Sequence, residues 1–532
     1  MFRRFESFKT RSAVICRNGM VATSQPVAAL VGLRVLMEGG NAVDAAVATA
    51  AALNVLEPMS IGIGGDMFAI AYICKSEKLI GINASGRSPY GLNVEELRKK
   101  GYTSMPDYGM IPVTVPGALD GWVKLVERFG EMPLSRLLEP AIRYAEDGFA
   151  VTPQIALSWA SSLGKLSKHP NTAKHYLING RAPKVGELFR QPHLARTLRL
   201  IAEGGKDPFY EGEIAEEIVR FSEENGGYLS MEDFKDHSSE WVEPVCSTYR
   251  GFKLYELPPN CQGITAQIAL NIVEGFDLSS MGHNSADYLH LLIESTKLAF
   301  ADRNRYIADP GFREIPVSGL ISKRYADERR GMIDPARAIR SAEPGDPMGF
   351  SDTAYLCVVD SQRNAVSFIN SLFHSFGSGM VGGDTGILLQ NRGASFSLDP
   401  GSYNSLEPHK RPMHTIIPAM LFKDDEPVVI FGVMGGDMQP QGHLQVVCNL
   451  VDFDMNVQDA IDAPRFRYMG GEGIALEEGI SEEVTHELER RGHKILPPNT
   501  FFGGGQAIFI DPETGSLHGG SDHRRDGCAV GY

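Results

Sequence analysis

Hydrophobic and polar positions alternate most regularly in the C-terminal third of the chain, where they predict antiparallel hairpins. A strand over Ala354–Val359 is followed by a polar turn at Asp360–Asn364 and a second strand over Ala365–Asn370. A helix capped by Ser481 is predicted over 481–491, and one or two more lie near 440–463. Further strands are predicted over 386–390, 415–421, 427–433 and 506–510.

The N-terminal part mixes helical and strand periods. Gly39-Gly40 ends one predicted helix, and Asn41 caps the next, which is apolar on all sides. The pattern as a whole predicts an α+β fold whose strands form antiparallel hairpins. The predicted elements are helices over Pro26–Met37, Ala42–Leu56 and Ser285–Tyr306, and a hairpin over Met67–Ile73 and Lys78–Asn83.

Composition and charge exclude several classes of protein. The 532 residues are 43% hydrophobic and 22% charged, as in a soluble enzyme, and the net charge of −15 argues against a nucleic-acid partner. The basic N-terminus lacks the apolar run of a secretory signal. The most apolar stretch, Ala42–Leu56, contains Asp44 and is too short to cross a bilayer. We therefore expect no membrane partner and a cytoplasmic location.

The cysteines and glycines do not indicate a metal or nucleotide site. Seven scattered cysteines without a C-x-x-C pair argue against zinc and against a disulfide framework, so small buried or half-buried thiols are expected. The sequence GIGGD lacks the spacing of a dinucleotide-binding loop. We expect no metal and no organic cofactor.

The dipeptide Asp352-Thr353 stands directly before the first strand of the predicted hairpin. A threonine here is by itself only a good strand residue. What changes this interpretation is a series of motifs over most of the chain. They are GGNAVDAAVATAAALNVLEPMSIGIGGDMF (Gly39–Phe68), VPGALDGW (Val115–Trp122), EPAIRYAEDGFAV (Glu139–Val151), DPFYEGEIA (Asp207–Ala215), LPPNCQG (Leu257–Gly263), ADRNRYIADP (Ala301–Pro310), GSGMVGGDTGILLQN, HKRPMHTIIPAM, GVMGGD and NVQDAIDAPRFR (Asn456–Arg467).

With these motifs in this order, the chain resembles the γ-glutamyltransferase (glutathione hydrolase) family of N-terminal-nucleophile (Ntn) hydrolases. The resemblance implies a four-layer αββα sandwich with two stacked antiparallel sheets. It also implies self-cleavage at the Asp352–Thr353 bond, giving a large subunit (1–352) and a small subunit (353–532). These two would stay together in one interlocked body, as a heterodimer or a dimer of heterodimers.

The chemistry explains why the family needs a threonine at the cut. Its hydroxyl attacks the preceding carbonyl, and water cleaves the resulting ester. Thr353 would then carry a free α-amine, whose pKa of about 8 suits a base near neutral pH. One residue thus supplies nucleophile and base. Strand alternation places Cys357 on the same face as Thr353.

The resemblance assigns two further parts of the catalytic machinery. Ser371 matches a second hydroxyl that hydrogen-bonds the nucleophile; the alternative is a polar strand residue facing water. Gly435-Gly436 matches the paired glycines whose N–H groups form an oxyanion hole, although such a pair is commonly only a turn. Gly64-Gly65-Asp66 is interpreted as packing.

The substrate-binding positions depart from the family pattern. Residues that hold a glutamyl α-amino group are replaced by Phe373, Arg392 and Ser395, and a Ser-Ser pair by His414-Thr415. Arg87 stands about two residues from the family's carboxylate-binding arginine, and a solvated surface arginine is an equal alternative. The nucleophile motif reads Thr353-Ala354-Tyr355-Leu356-Cys357 in place of Thr-Thr-His-Tyr/Phe-Ser, and the lid shrinks to Leu398–Pro408.

These residues leave three functions open. The first is hydrolysis, in preference to transfer, of γ-glutamyl amides such as glutathione. The second is hydrolysis of a small anionic amide such as oxamate, or of an acyl amide as in cephalosporin acylases, because the site has gained arginine and lost acidic partners for an ammonium group. Both imply a small-molecule amide substrate. The third is a non-catalytic binding protein with the same fold.

Overall fold

Two antiparallel sheets of seven strands each lie face to face between two layers of helices. The computed structural model describes residues 1–2, 11–340, 352–497 and 501–532, with Asp352 described in its backbone only. The predicted α+β class and the αββα sandwich are both confirmed.

The described residues form nineteen strands and twenty α-helices. The strands are β1 Val14–Cys16, β2 Met20–Thr23, β3 Asp66–Ile73, β4 Lys78–Ala84, β5 Phe149–Ala150, β6 Leu188–Phe189, β7 Glu240–Val242, β8 Val245–Tyr249, β9 Phe252–Glu256, β10 Asp352–Val359, β11 Ala365–Phe373, β12 Ala419–Lys423, β13 Glu426–Met434, β14 Phe466–Tyr468, β15 Gly473–Leu476, β16 Lys494–Leu496, β17 Gly504–Ile510, β18 Leu517–Ser521 and β19 Cys528–Gly531. The helices are α1 Pro26–Met37, α2 Ala42–Leu56, α3 Val94–Lys99, α4 Ala118–Phe129, α5 Leu134–Asp147, α6 Pro153–Ser161, α7 Leu163–Leu166, α8 Pro170–Tyr176, α9 Pro192–Gly204, α10 Asp207–Tyr210, α11 Glu213–Glu224, α12 Met231–Lys235, α13 Gly263–Val273, α14 Leu278–Met281, α15 Ala286–Tyr306, α16 Val317–Leu320, α17 Lys323–Arg330, α18 Met438–Val451, α19 Val457–Asp462 and α20 Glu482–Arg490. Short 3₁₀ helices cover Cys74–Ser76, Gly383–Thr385 and Arg392–Ser395.

Each large sheet contains strands from both sides of the Asp352–Thr353 bond. Sheet I has the order β1-β18-β17-β13-β12-β9-β8, and sheet II the order β19-β2-β10-β11-β3-β4-β7. Every neighbouring pair in both sheets is antiparallel. The two sides of that bond are therefore interleaved within the same hydrogen-bonded layers.

The hairpin of β10 and β11 lies near the middle of sheet II and confirms the predicted pairing. The strands are in register from Ala354↔Asn370 to Val359↔Ala365. Successive side chains point to opposite faces: Tyr355 and Cys357 enter the core between the sheets, whereas Leu356 and its even-numbered neighbours pack toward the helical layer. Cys357 shares the face of Thr353 as predicted, in a dry environment where burial raises the pKa of its thiol.

Helix α2 is the centre of the helical layer over sheet II. All of its residues are buried, and it packs on β10 and β11. Asn41 and Asp44 form a reciprocal capping box at its N-terminus. The predicted helix, its cap and its burial are thus confirmed. None of the described helices is long and apolar enough to cross a bilayer.

Two predicted elements differ in the structure. The strand expected over 386–390 is a loop with one isolated bridge, Val381↔Leu388. Its apolar residues are buried, but its backbone bonds other loops, as where Gln390 N donates to Gly64 O at 2.9 Å. The strand expected from 415 begins at Ala419, because Ile417 N donates to the Gln439 side chain instead of to a strand.

Sheets I and II pack tightly where Tyr355 of β10 faces Gly432 of β13. A Cβ added at Gly432 would lie 2.4 Å from the Tyr355 ring, and the Tyr355 hydroxyl is fixed by a 2.8 Å hydrogen bond with Ser367 Oγ. The missing side chain at Gly432 is therefore required by the inter-sheet packing.

We predict that Gly432→Ala destabilises the protein by about 1–3 kcal/mol, as overpacked cores generally are. The measurement is the midpoint of thermal unfolding. Gly164→Ala in α7 is the matched control, because nothing lies within 4 Å of its added Cβ, and alanine is the better helix former. Equal midpoints for Gly432→Ala and the parent would contradict this account of the interface.

Candidate active site

Thr353 lies at the start of β10, on the face that points between the sheets. The register of β10 and β11 shifts between Asp352 and Ala354, so the strand is irregular at Thr353. In the intact chain Thr353 is fully buried. The backbone of Asp352 pairs with Phe373, whereas its side chain lies outside the described residues.

Ser371 is the partner of Thr353 that the sequence predicts. The two hydroxyl oxygens, Thr353 Oγ1 and Ser371 Oγ, lie 3.3 Å apart across the hairpin. Ser371 Oγ also accepts a hydrogen bond from the Phe373 amide at 2.8 Å. Ser371 is fully buried, so the alternative of a strand residue facing water does not apply to the intact chain.

Arg392 carries a positive charge into the same buried space. It begins the 3₁₀ helix Arg392–Ser395 and is itself fully buried. Its Nη2 donates to Ser371 Oγ at 3.3 Å and its Nη1 to Thr415 Oγ1 at 2.8 Å. Both acceptors are uncharged, and Arg392 Nε has no hydrogen-bond partner among the described residues. Burial lowers the pKa of Arg392 to about 9, against the opposing charge of Asp66.

Phe373 forms one wall of this space. The Arg392 guanidinium lies 4.2 Å from the centre of its ring, within the range of cation–π contacts. Its backbone has a φ of 79°, a conformation that is unusual for a bulky side chain. Such strain persists only where the surrounding structure imposes it, and here it brings the ring under the guanidinium.

His414 forms a buried pair with Asp66, which the sequence analysis had assigned to packing. His414 Nε2 lies 3.0 Å from Asp66 Oδ2, while His414 Nδ1 accepts from the Ile416 amide. Burial, with the charge of Arg392, lowers the pKa of His414 to about 4. Burial acts to raise the pKa of Asp66, but hydrogen bonding by His414 and the nearby charges give a net lowering. Both shifts favour an ionised carboxylate beside a neutral imidazole near neutral pH.

Two further side chains complete this part of the site, and neither was predicted. Gln390 donates to Asp66 Oδ1 at 2.9 Å. Gln262 Nε2 donates to Thr415 O at 2.7 Å and to Gly436 O at 3.1 Å. Gln262 lies in the motif LPPNCQG, but no spacing within that motif relates it to Thr415 or Gly436. Its contacts arise only when the loops at the ends of β9, β12 and β13 meet.

Gly435 and Gly436 connect β13 to α18 with φ values of 121° and 59°. Their carbonyl oxygens accept from the amides of Met438 and Gln439, both at 3.0 Å. In a trans peptide the N–H points opposite to the C=O, so Gly436 N–H is directed away from the helix. Such an arrangement suits an oxyanion-binding donor. Hydrogen bonds through Gln262, Thr415, Arg392 and Ser371 connect Gly436 to Thr353.

Arg87 is in a different environment from the other predicted residues. Its guanidinium contacts Asp309 Oδ2 at 3.2 Å, Glu240 Oε1 at 3.3 Å and the carbonyl of His409 at 3.2 Å. It lines a cavity of about 320 Å³ together with Asn260 and Arg411. Because two carboxylates already occupy this guanidinium, its role in binding a substrate carboxylate stays a prediction.

Several known proteins are similar to this chain over nearly its full length. The gamma-glutamyltranspeptidase family model matches residues 28–532. The chain is 40% identical to the glutathione hydrolase-like YwrD proenzyme of Bacillus subtilis, covering 98% of this chain and 99% of that one. It is 35% identical to the oxamate amidohydrolase proenzyme of Klebsiella pneumoniae, covering 98% and 100%. The crystal structure of a cephalosporin acylase from Bacillus halodurans superimposes with a TM-score of 0.94 at 46% identity, covering 100% and 99%.

We predict that Ser371→Ala slows both cleavage before Thr353 and turnover, the latter by about a hundredfold, the scale of one lost hydrogen-bond donor at a reacting oxygen. Ser371→Thr keeps the hydroxyl and should retain most of both rates. The measurements are the fraction of cut chain over time and kcat. Parent-like rates in Ser371→Ala, at an unchanged melting temperature, would exclude a role for this hydroxyl.

Proposed function

Because the chain belongs to the gamma-glutamyltranspeptidase family of Ntn hydrolases, we propose that this enzyme cuts itself before Thr353 and then uses Thr353 as its nucleophile. The observation that carries the proposal is the 3.3 Å approach of Thr353 Oγ1 to Ser371 Oγ at the start of a central strand. Relatives that match nearly the full length of the chain are named proenzymes, which supports this proposal.

Self-cleavage needs only groups that the chain and water supply. Thr353 Oγ1 attacks the Asp352 carbonyl carbon, the C–N bond breaks, and the acyl group moves to oxygen while the nitrogen gains a proton as a free amine. Water then hydrolyses the ester, which leaves a carboxylate on Asp352 and restores the Thr353 hydroxyl. The products are residues 1–352 and 353–532.

The mature enzyme repeats this chemistry on an external amide. The Thr353 α-amine, with a pKa of about 8, takes the hydroxyl proton. The Gly436 N–H stabilises the oxyanion, and an amine or ammonia leaves with the returned proton. Thr353, Ser371 and Arg392 are fully buried in the intact chain, so we propose that substrate gains access only after cleavage.

We predict that Thr353→Ala purifies as one intact chain, while the parent gives two fragments that separate at the Asp352–Thr353 bond. Thr353→Ser keeps a hydroxyl at this position and should therefore still be cleaved at the same bond. Intact-protein mass spectrometry measures the masses. Cleavage at the same bond in Thr353→Ala, or an uncut parent, would contradict the assignment of the nucleophile.

The charges around Thr353 favour a substrate whose acyl group carries a carboxylate. Arg392 donates only to uncharged acceptors and has a free Nε among the described residues. The nearby charge of Asp66 offsets only part of the cost of burying this cation. A γ-glutamyl group, as in glutathione, brings a carboxylate but also an ammonium group. Asp66, the nearby carboxylate, is already bonded to His414 and Gln390. An acyl group with the carboxylate alone, as in oxamate, fits these charges better.

Three p-nitroanilide substrates test this proposal. The γ-glutamyl compound carries a carboxylate and an ammonium group, the glutaryl compound carries only the carboxylate, and the pentanoyl compound carries neither. We predict the highest kcat/KM for the glutaryl compound and ammonia release from oxamate. Arg392→Gln should lower the glutaryl rate by about tenfold or more and leave the pentanoyl rate nearly unchanged. A preference of the parent for the γ-glutamyl compound would instead establish the glutathione hydrolase activity as the main one.

We also propose that water, rather than an acceptor amine, resolves the acyl-enzyme. The segment Leu398–Pro408 is short, and the bridge between Ser397 and Ser405 closes most of it into a tight loop, so it offers little surface to hold an acceptor. The same assay with added glycylglycine measures this. A transfer rate above the hydrolysis rate would refute it.

A further inference from the structure

Two histidines and an aspartate meet at a surface cavity that none of the candidate active-site residues lines. His175 lies in the last turn of α8, His193 in the first turn of α9, and Asp384 in the 3₁₀ helix Gly383–Thr385. The two histidines line a cavity of about 240 Å³. One ligand atom from each of the three residues lies within 4.8 Å of the other two.

The strongest observation is the buried Nε2 of His175. The side chain is 5% exposed, and its Nε2 has no hydrogen-bond partner among the described residues. It lies 3.7 Å from Asp384 Oδ1, too far for a hydrogen bond. A divalent ion with bonds of about 2.0–2.2 Å to nitrogen and oxygen spans this gap. Burial lowers the pKa of His175 to about 4, so the ring is neutral near pH 7, as a metal ligand must be.

His193 has a fixed tautomer of the kind found in metal ligands. Its Nδ1 lies 3.0 Å from the backbone oxygen of Asp384. Because a carbonyl only accepts, Nδ1 carries the hydrogen, and in the neutral ring the lone pair lies on Nε2. Histidines that bind metals commonly donate their other N–H to such a carbonyl, which fixes the tautomer and the ring.

Lys174 is the group that a metal would have to displace. Its Nζ lies 2.7 Å from Asp384 Oδ1, but its side chain is 55% exposed and can move into water. Arg190 also lines the cavity and opposes a cation. Glu217 acts in the other direction, because its Oε1 accepts from the Asp384 amide at 3.1 Å and adds negative charge beside the site.

We propose that His175, His193 and Asp384 bind one divalent transition-metal ion, with zinc the best match to two imidazoles and a carboxylate. The site joins α8 and α9, which precede Thr353 in the chain, to the 3₁₀ helix Gly383–Thr385, which follows it. The ion therefore stabilises the contact between the segments that lie before and after the proposed cleavage site. The sequence analysis, which expected no metal, could not find it. The three ligands are widely separated in sequence and match no ligand spacing rule.

Zinc and cobalt(II) salts are the probes, added to the full-length protein after treatment with EDTA. We expect one zinc ion per chain by calorimetry, a visible absorption band for cobalt(II), and a higher melting temperature with zinc. His175→Ala and His193→Ala should each weaken binding by about tenfold or more. Lys174→Met should tighten it, because the competing cation is removed.

The matched control is His486→Gln, since His486 is an exposed histidine that pairs with Glu489 on α20. It should bind zinc as the parent does. Melting temperatures in EDTA show whether each variant is folded. The proposal is overturned if the parent shows no saturable binding, or if binding survives in the His175→Ala/His193→Ala double variant. Weaker binding in Lys174→Met than in the parent would also contradict it.

Discussion

A full positive charge held away from water is the constraint on which the candidate active site depends. Arg392 is fully buried, and its guanidinium reaches Ser371 on one side and Thr415 on the other. These bonds hold Ser371 beside Thr353 and hold the loop before β12 against the 3₁₀ helix. The same charge helps to lower the pKa of both Asp66 and His414. Arg392 thus both positions Ser371 and contributes to the protonation states of Asp66 and His414. Burial has a larger effect on both pKa values, and for Asp66 so does the contact with His414.

The charge of a bound substrate would also affect the pKa of the neighbouring His414 imidazole. The charge of Arg392 is one of the two causes that lower the pKa of His414. An anion bound to the guanidinium would cancel much of that charge and so raise the pKa of His414. Burial, the larger cause, would still favour the neutral ring. The site can therefore accept a carboxylate without forcing His414 to take up a proton near neutral pH.

The parts of the structure that the sequence predicted are those that local pattern determines. Alternation over 354–370 identifies the β10–β11 hairpin, and the apolar run after Asn41 identifies α2. The prediction of a strand over 386–390 was wrong. An apolar run indicates that a segment is buried, but it does not determine whether the backbone of that segment pairs with a strand. Its residues fill space against loops from distant parts of the chain.

The same distinction applies to the candidate site. Thr353, Ser371 and the two glycines could be proposed from the sequence because each belongs to a motif with a definite chemical need. Asp66, Gln262 and Gln390 could not, because their importance comes from contacts across the fold. Arg87 belongs to a motif of the right type, but its guanidinium is bound by Asp309 and Glu240, so its role in substrate binding stays a prediction.

The interleaved strand order has a consequence for how such an enzyme has to be made. In sheet II, β2 lies between β19 and β10, so strands from before and after Thr353 alternate across hydrogen bonds. Fragments 1–352 and 353–532, made separately, would each present incomplete sheets with open edges, which favour aggregation. One continuous chain would avoid this, because tethering brings the strands together before the proposed cut. Cleavage before Thr353 would then be a late, irreversible step that follows folding, and an enzyme unfolded after that cut would lack the connection that guided its assembly.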